Sequence, residues 1–162
     1  MKTICLVLSL TLPMAVRGQS AESRPEPPFG SGAGAFMALS VADVQASARW
    51  YSEKLGLKVV HETPKRDRAA VVVLEGGGLV VELVQLDDAL PLSKAAPAAT
   101  GPQFVHGIFK AGVLVEDFDG TVARLRARGV EIAYGPFPAR ENQRANVIVR
   151  DNAGNLIQFF AK

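Results

Sequence analysis

The chain has 162 residues, 48% of them hydrophobic and 21% charged, with one cysteine and a formal net charge of +2. That is enough apolar material for one ordinary globular core and too much for a disordered chain. A single cysteine excludes an internal disulfide, and no Cys/His cluster has the spacing of a structural zinc site.

Residues 1–20 read as a secretory signal peptide. Lys2 gives a positive start, residues 3–16 form an apolar run, and small residues follow around Gly18. The run is shorter than the ~20 residues a membrane span needs. Removing Lys2 and Arg17 with this segment leaves 16 basic against 16 acidic residues. A neutral mature chain lacks the basic footprint of a nucleic-acid binder. The expected location is secreted or periplasmic, with no membrane attachment after cleavage and no nucleic-acid partner. Residues 21–34, rich in Pro, Gly and Ser, read as a flexible leader.

The rest reads as one unit written twice. Residues 36–41 are a short strand, Asp43 is an N-cap, and residues 44–55 carry apolar side chains at helical spacing up to Gly56. Residues 57–61, 69–74 and 79–86 follow as three strands, separated by turns at 64–68 and 75–78. Residues 87–101, rich in Ala and Pro, are a linker. A strand at 110–115, a cap at Asp117, a helix at 118–128 and strands at 130–134, 145–150 and 156–160 repeat the order. Asp43 and Asp117 stand 74 residues apart, Gly56 and Gly129 73, and Gly78 and Gly154 76. Such near-constant offsets mark an internal duplication. The divisions are thus residues 35–86 as first module, 87–105 as linker and 106–162 as second module, with 35–162 one domain.

Val41-Ala42-Asp43, Trp50-Tyr51, Leu55-Gly56 and Asp151-Asn152-Ala153-Gly154-Asn155 together resemble the signatures of the vicinal oxygen chelate superfamily. That group contains glyoxalases, bleomycin-resistance proteins and extradiol dioxygenases. The resemblance implies an α+β fold: two tandem βαβββ modules forming a curved, cup-shaped mixed sheet with the helices outside, commonly in a homodimer. It also implies that metalloenzymes of the group place one ligand on the first strand and one on the last strand of each module. The matching positions here are Phe36, Glu82, Lys110 and Gln158.

Phe36 has no lone pair and protonated Lys110 only donates, so one carboxylate and one amide oxygen remain. A zinc or iron site wants three or more convergent donors. No metal and no cofactor are therefore expected. Lys110 either enters the space and pairs with Glu82, or sits at a strand end and reaches solvent. His106 lies four residues before Lys110 at the same strand parity, as a displaced ligand or a plain polar residue. His61 ends its strand, most simply as surface. In the segment 140–144, Arg144 or Asn146 could clamp an anionic or carbonyl group.

Three functions stay open. The first is a metal-free protein that binds a small organic molecule. Phe36, Val80, Val84, Leu114, Leu156 and Phe160 would be its walls, with Ser40, Glu82, Lys110, Arg144 and Gln158 as its polar points. The second is a lyase, isomerase or dioxygenase with an altered site, using Glu82 as base and Lys110 as electrophilic stabiliser. The third is a non-catalytic module whose cup is plugged by Phe36.

Overall fold

A computed structural model describes residues 36–162. The signal peptide and leader assigned to residues 1–34 lie outside the described residues.

β1 (Phe36–Ser40) leads to α1 (Val44–Trp50), where Asp43 caps the helix by accepting a hydrogen bond from the Ala46 amide at 2.9 Å. The helix does not run on unchanged to residue 55. It widens into a π-helical turn (Tyr51–Leu55) and ends at Gly56 in the left-handed conformation. β2 (Lys58–Arg66), β3 (Ala69–Gly76) and β4 (Leu79–Leu86) complete the module. A short α2 (Leu92–Ala95) and a 3-10 turn (Pro102–Phe104) occupy the linker. β5 (Lys110–Val115), α3 (Phe118–Ala127), β6 (Glu131–Phe137), β7 (Asn146–Arg150) and β8 (Leu156–Ala161) make the second module. Asp117 repeats the cap, accepting from the Gly120 amide. That bond and the Arg124 guanidinium hold its carboxyl below the usual carboxylate range.

Each module forms a four-stranded mixed sheet, ordered β1-β4-β3-β2 and β5-β8-β7-β6. The first and last strands of each module pair parallel, and the other pairs are antiparallel. Alternation along each strand sends one set of side chains into a shared core. Val72, Leu74, Val81 and Leu83 of the first sheet join Val147, Val149, Ile157 and Phe159 of the second in one buried cluster. Apolar burial on that side is what makes the two repeats one domain.

Two sequence expectations need correction. The turn assigned to residues 64–68 shrinks to Asp67 and Arg68, with φ of 45° and 81°. A two-residue hairpin of this kind requires positive φ at both central residues, and its right-handed twist lets the flanking strands pair up to it. Pro64 is tolerated inside β2 because β2 is an edge strand with an irregular register between Thr63 and Arg66. Likewise β6 runs three residues past Tyr134, to Phe137. A left-handed arginine is strained, so Arg68→Gly is expected to stabilise the domain by about 1 kcal/mol. A chemical denaturation midpoint that stays put or falls would contradict this.

The duplication is visible at atomic level where the repeats meet. The Lys54 ammonium donates to the Arg128 carbonyl at 2.6 Å, and the Arg128 guanidinium donates to the Lys54 carbonyl at 3.3 Å. The two residues are 74 apart, the same offset as the cap aspartates. The C-terminal ends of the two equivalent helices therefore meet each other.

Candidate functional site

Strand register arranges the non-core face of the first sheet in three rows. Phe36, Val80, Glu75 and Lys58 form the first, Ala38, Glu82, Val73 and His61 the second, and Ser40, Val84, Val71 and Thr63 the third. On the second sheet Lys110, Leu156, Arg150 and Glu131 share a row, then Gly112, Gln158, Ile148 and Tyr134, then Leu114, Phe160, Asn146 and Phe137. The predicted set Phe36, Ser40, Val80, Glu82 and Val84 therefore shares one face. Lys110, Leu114, Leu156, Gln158 and Phe160 share the corresponding face of the repeat.

Glu82 and Gln158 occupy matching central rows, next to Ala38 and Gly112 on the neighbouring parallel strands. These small neighbours place no bulky side chain beside the carboxylate and the amide on that side, although Gln158 itself is buried. Phe36 is 67% exposed and Leu114 59%, so neither fills the space in front of the sheets. Leu156, by contrast, is already buried and offers no open wall.

The expected pairing of Lys110 with Glu82 is not formed. Lys110 opens β5 and belongs to the outermost row, one row from Gln158. Its ammonium lies 5.2 Å from the Phe109 ring centroid, a cation–π contact at the rim. Among the described residues the ion pairs join other, mostly exposed groups, and the Glu82 carboxylate accepts no hydrogen bond. His106, read as a displaced ligand or a plain polar residue before the strand, is exposed in bends ahead of β5, separated from it by Gly107 at φ 142°. His61 lies mid-strand rather than at a strand end, bonded to the Thr63 hydroxyl at 3.0 Å. It stands in the Glu82 row but two strands away, about 10 Å.

Arg144 is exposed beyond the tight turn closed by Arg140 and Gln143, whose backbones exchange bonds of 2.8 and 3.0 Å. Asn146 is not free to clamp a ligand. It is 3% exposed, and both ends of its amide are engaged: Nδ2 donates to the Arg144 carbonyl at 3.1 Å and Oδ1 accepts from Gln158 Nε2 at 2.8 Å.

The metal that such folds carry does not fit this donor set. The four positions supply one carboxylate and one amide oxygen, and among the described residues no three His, Cys, Asp or Glu side chains converge. Two grooves lie at the Phe36 and Lys110 end of the sheets. One of about 850 Å³ runs over Phe36, Val60, Val80, Lys58 and Glu75, and one of about 440 Å³ separates the edge strands β1 and β5.

A further cluster was not foreseen from sequence. Tyr51, fully buried, donates its hydroxyl to Asp151 Oδ2 at 2.9 Å across 100 residues of chain. Asp151 also accepts from the amides of Ala153 and Asn155 and from Asn155 Nδ2, at 2.7–2.9 Å. Burial, then the neighbouring Asp151 charge and hydrogen bond, push the Tyr51 phenol far above its usual range. Trp50 packs edge-on against the same ring at 5.0 Å. The aromatic pair and the Asp-Asn-Ala-Gly-Asn turn are thus two halves of one inter-module staple.

Paired βαβββ modules with this central-row geometry define a vicinal oxygen chelate fold. The chain belongs to the Glyoxalase/Bleomycin resistance protein/Dioxygenase superfamily, whose family model matches residues 35–159. Among solved structures it is similar to a glyoxalase family protein from Enterococcus faecalis, with a TM-score of 0.61 and 19% identity over 77% of this chain and 94% of that one. TnmS3, an antibiotic binding protein from Streptomyces sp. CB03234, gives 0.55 and 20% over 81% and 96%. Lactoylglutathione lyase from Agrobacterium tumefaciens gives 0.53 and 21% over 78% and 90%. At these identities the likeness is one of fold. No curated protein sequence matches the chain.

Proposed function

We propose that this superfamily member is an exported, metal-free protein that binds a small organic molecule on the faces carrying Glu82 and Gln158. The observation that carries the reading is the central-row chemistry. Where a metalloenzyme needs several metal donors, this chain has one carboxylate and one amide, beside exposed Phe36 and Leu114. Apolar surface with a few fixed polar groups suits an organic ligand better than a cation. TnmS3, of the same fold, is described as an antibiotic binding protein. Export rests on residues 1–20, and a second copy of the chain closing over the exposed faces is part of the proposal. The plugged-cup alternative is disfavoured by the exposure of Phe36.

A thermal-shift screen of the chelated protein against aromatic, carbonyl and antibiotic compounds tests this. A ligand at a hundredfold excess over its Kd should stabilise the domain by about 2.7 kcal/mol, raising Tm by roughly 10 °C. No stabilisation by any class would reject the binding reading. Turnover of a hemithioacetal or catechol after loading with zinc, nickel or iron would install the enzymatic one.

A further inference from the structure

The polarity of the Gln158 side chain is fixed by a chain of three groups that starts at the backbone. The Arg144 carbonyl can only accept, so the Asn146 atom 3.1 Å from it must be the Nδ2 donor. That leaves Asn146 Oδ1 facing Gln158, and the Gln158 atom 2.8 Å from it must in turn be Nε2. Reversing either amide would set two carbonyl oxygens, or two NH2 groups, against each other. Gln158 is 6% exposed, yet its Oε1 has no partner among the described residues and is not sealed from solvent. Beside it Gly112 has no side chain, and a Cβ there would come within 3.2 Å of the Gln158 backbone carbonyl. The repeat-related position holds Glu82, also an acceptor without a donor.

From this we infer that Asn146 is a positioning residue that turns Gln158 into a fixed acceptor, so that the protein selects ligands presenting an N–H or O–H donor on an apolar body. The inference rests on the binding reading above and names its ligand class: phenols, anilines and amides rather than ethers, quinones or carboxylates. A buried acceptor met by a group that cannot donate stays unpaired, which is what discriminates.

The test uses two readouts on the full-length protein. In ligand-free protein, NMR should find one Gln158 Nε2 proton slowed in exchange and coupled across the hydrogen bond to Asn146. Asn146→Ala should abolish both signs. A Gln158 amide that exchanges as a free surface amide would overturn the inference whatever binds. For ligands, 2-naphthol and 2-methoxynaphthalene differ only by capping the donor. Wild type should prefer the naphthol roughly five- to tenfold. Asn146→Ala, which releases the amide to rotate, and Gln158→Leu should both bring that ratio near one by removing the naphthol's advantage. Equal affinities in wild type would overturn the inference alone. Binding of neither compound would overturn the donor preference on an apolar body, and the proposed function falls with it only where no class stabilises the protein in the screen above.

Discussion

Asp151→Ala is expected to lower the stability of the domain by about 2–4 kcal/mol, a fall in Tm of roughly 8–15 °C. The carboxylate is 4% exposed and accepts four hydrogen bonds, two of them from its own turn's backbone. Truncation relieves the desolvation of a buried charge, which offsets part of the loss. It also leaves the fully buried Tyr51 hydroxyl without its acceptor, and that term is the larger. Asn152→Ala is the matched control. Asn152 is exposed and makes one long bond, 3.3 Å, to the Ser47 hydroxyl, so its loss should cost well under 1 kcal/mol. Urea denaturation of both variants decides the matter. Equal, small effects would mean that the apolar core alone joins the modules.

The second large effect is on the alkaline side of the stability profile. The folded protein holds the Tyr51 phenol above its ordinary value of about 10, whereas the unfolded chain does not. Above pH 10 the unfolded state gives up this proton and the native state keeps it. Unfolding then releases a proton, and stability falls by about 1.4 kcal/mol per pH unit. The stability present below pH 10 is thus lost as pH rises towards the folded value, by about 2.7 kcal/mol at pH 12. Tyr51→Phe removes this titration at the cost of the Asp151 bond, about 1–2 kcal/mol at pH 7. Wild type minus variant should therefore shrink steadily above pH 10 and change sign at about pH 10.7 to 11.5. A difference that stays constant from pH 7 to 12 would refute the assignment. Other groups titrate in both proteins and cancel in that difference.

Both predictions arise at a contact that the sequence displayed in pieces. Trp50-Tyr51 and the turn at 151–155 were each visible as motifs, but a phenol 100 residues from a carboxylate announces no bond until the modules pack. The Lys54–Arg128 exchange differs in kind. Its offset is close to the repeat period, so the duplicated sequence already names the equivalent helix ends, though not that they meet. The site shows the same division. The family resemblance singled out Phe36, Glu82, Lys110 and Gln158, and register then placed Lys110 in the outer row, away from Glu82. A resemblance gives positions along a strand but not the neighbour across it. Of the two readings of His106 the structure places the plain one, an exposed polar residue set off from the strand by Gly107 at positive φ.

What the sequence determined by itself is the repeated βαβββ order, the caps at Asp43 and Asp117, the alternation that divides core from open face, and the scarcity of metal donors. These depend on local propensity and on period, which a chain carries wherever it is read. Only tertiary structure decided that Tyr51 closes on Asp151, that Lys110 stands at the rim, and that Asn146 orients Gln158. Each of those is a choice among partners distant in sequence, made when burial leaves a polar group one place to satisfy its hydrogen bond.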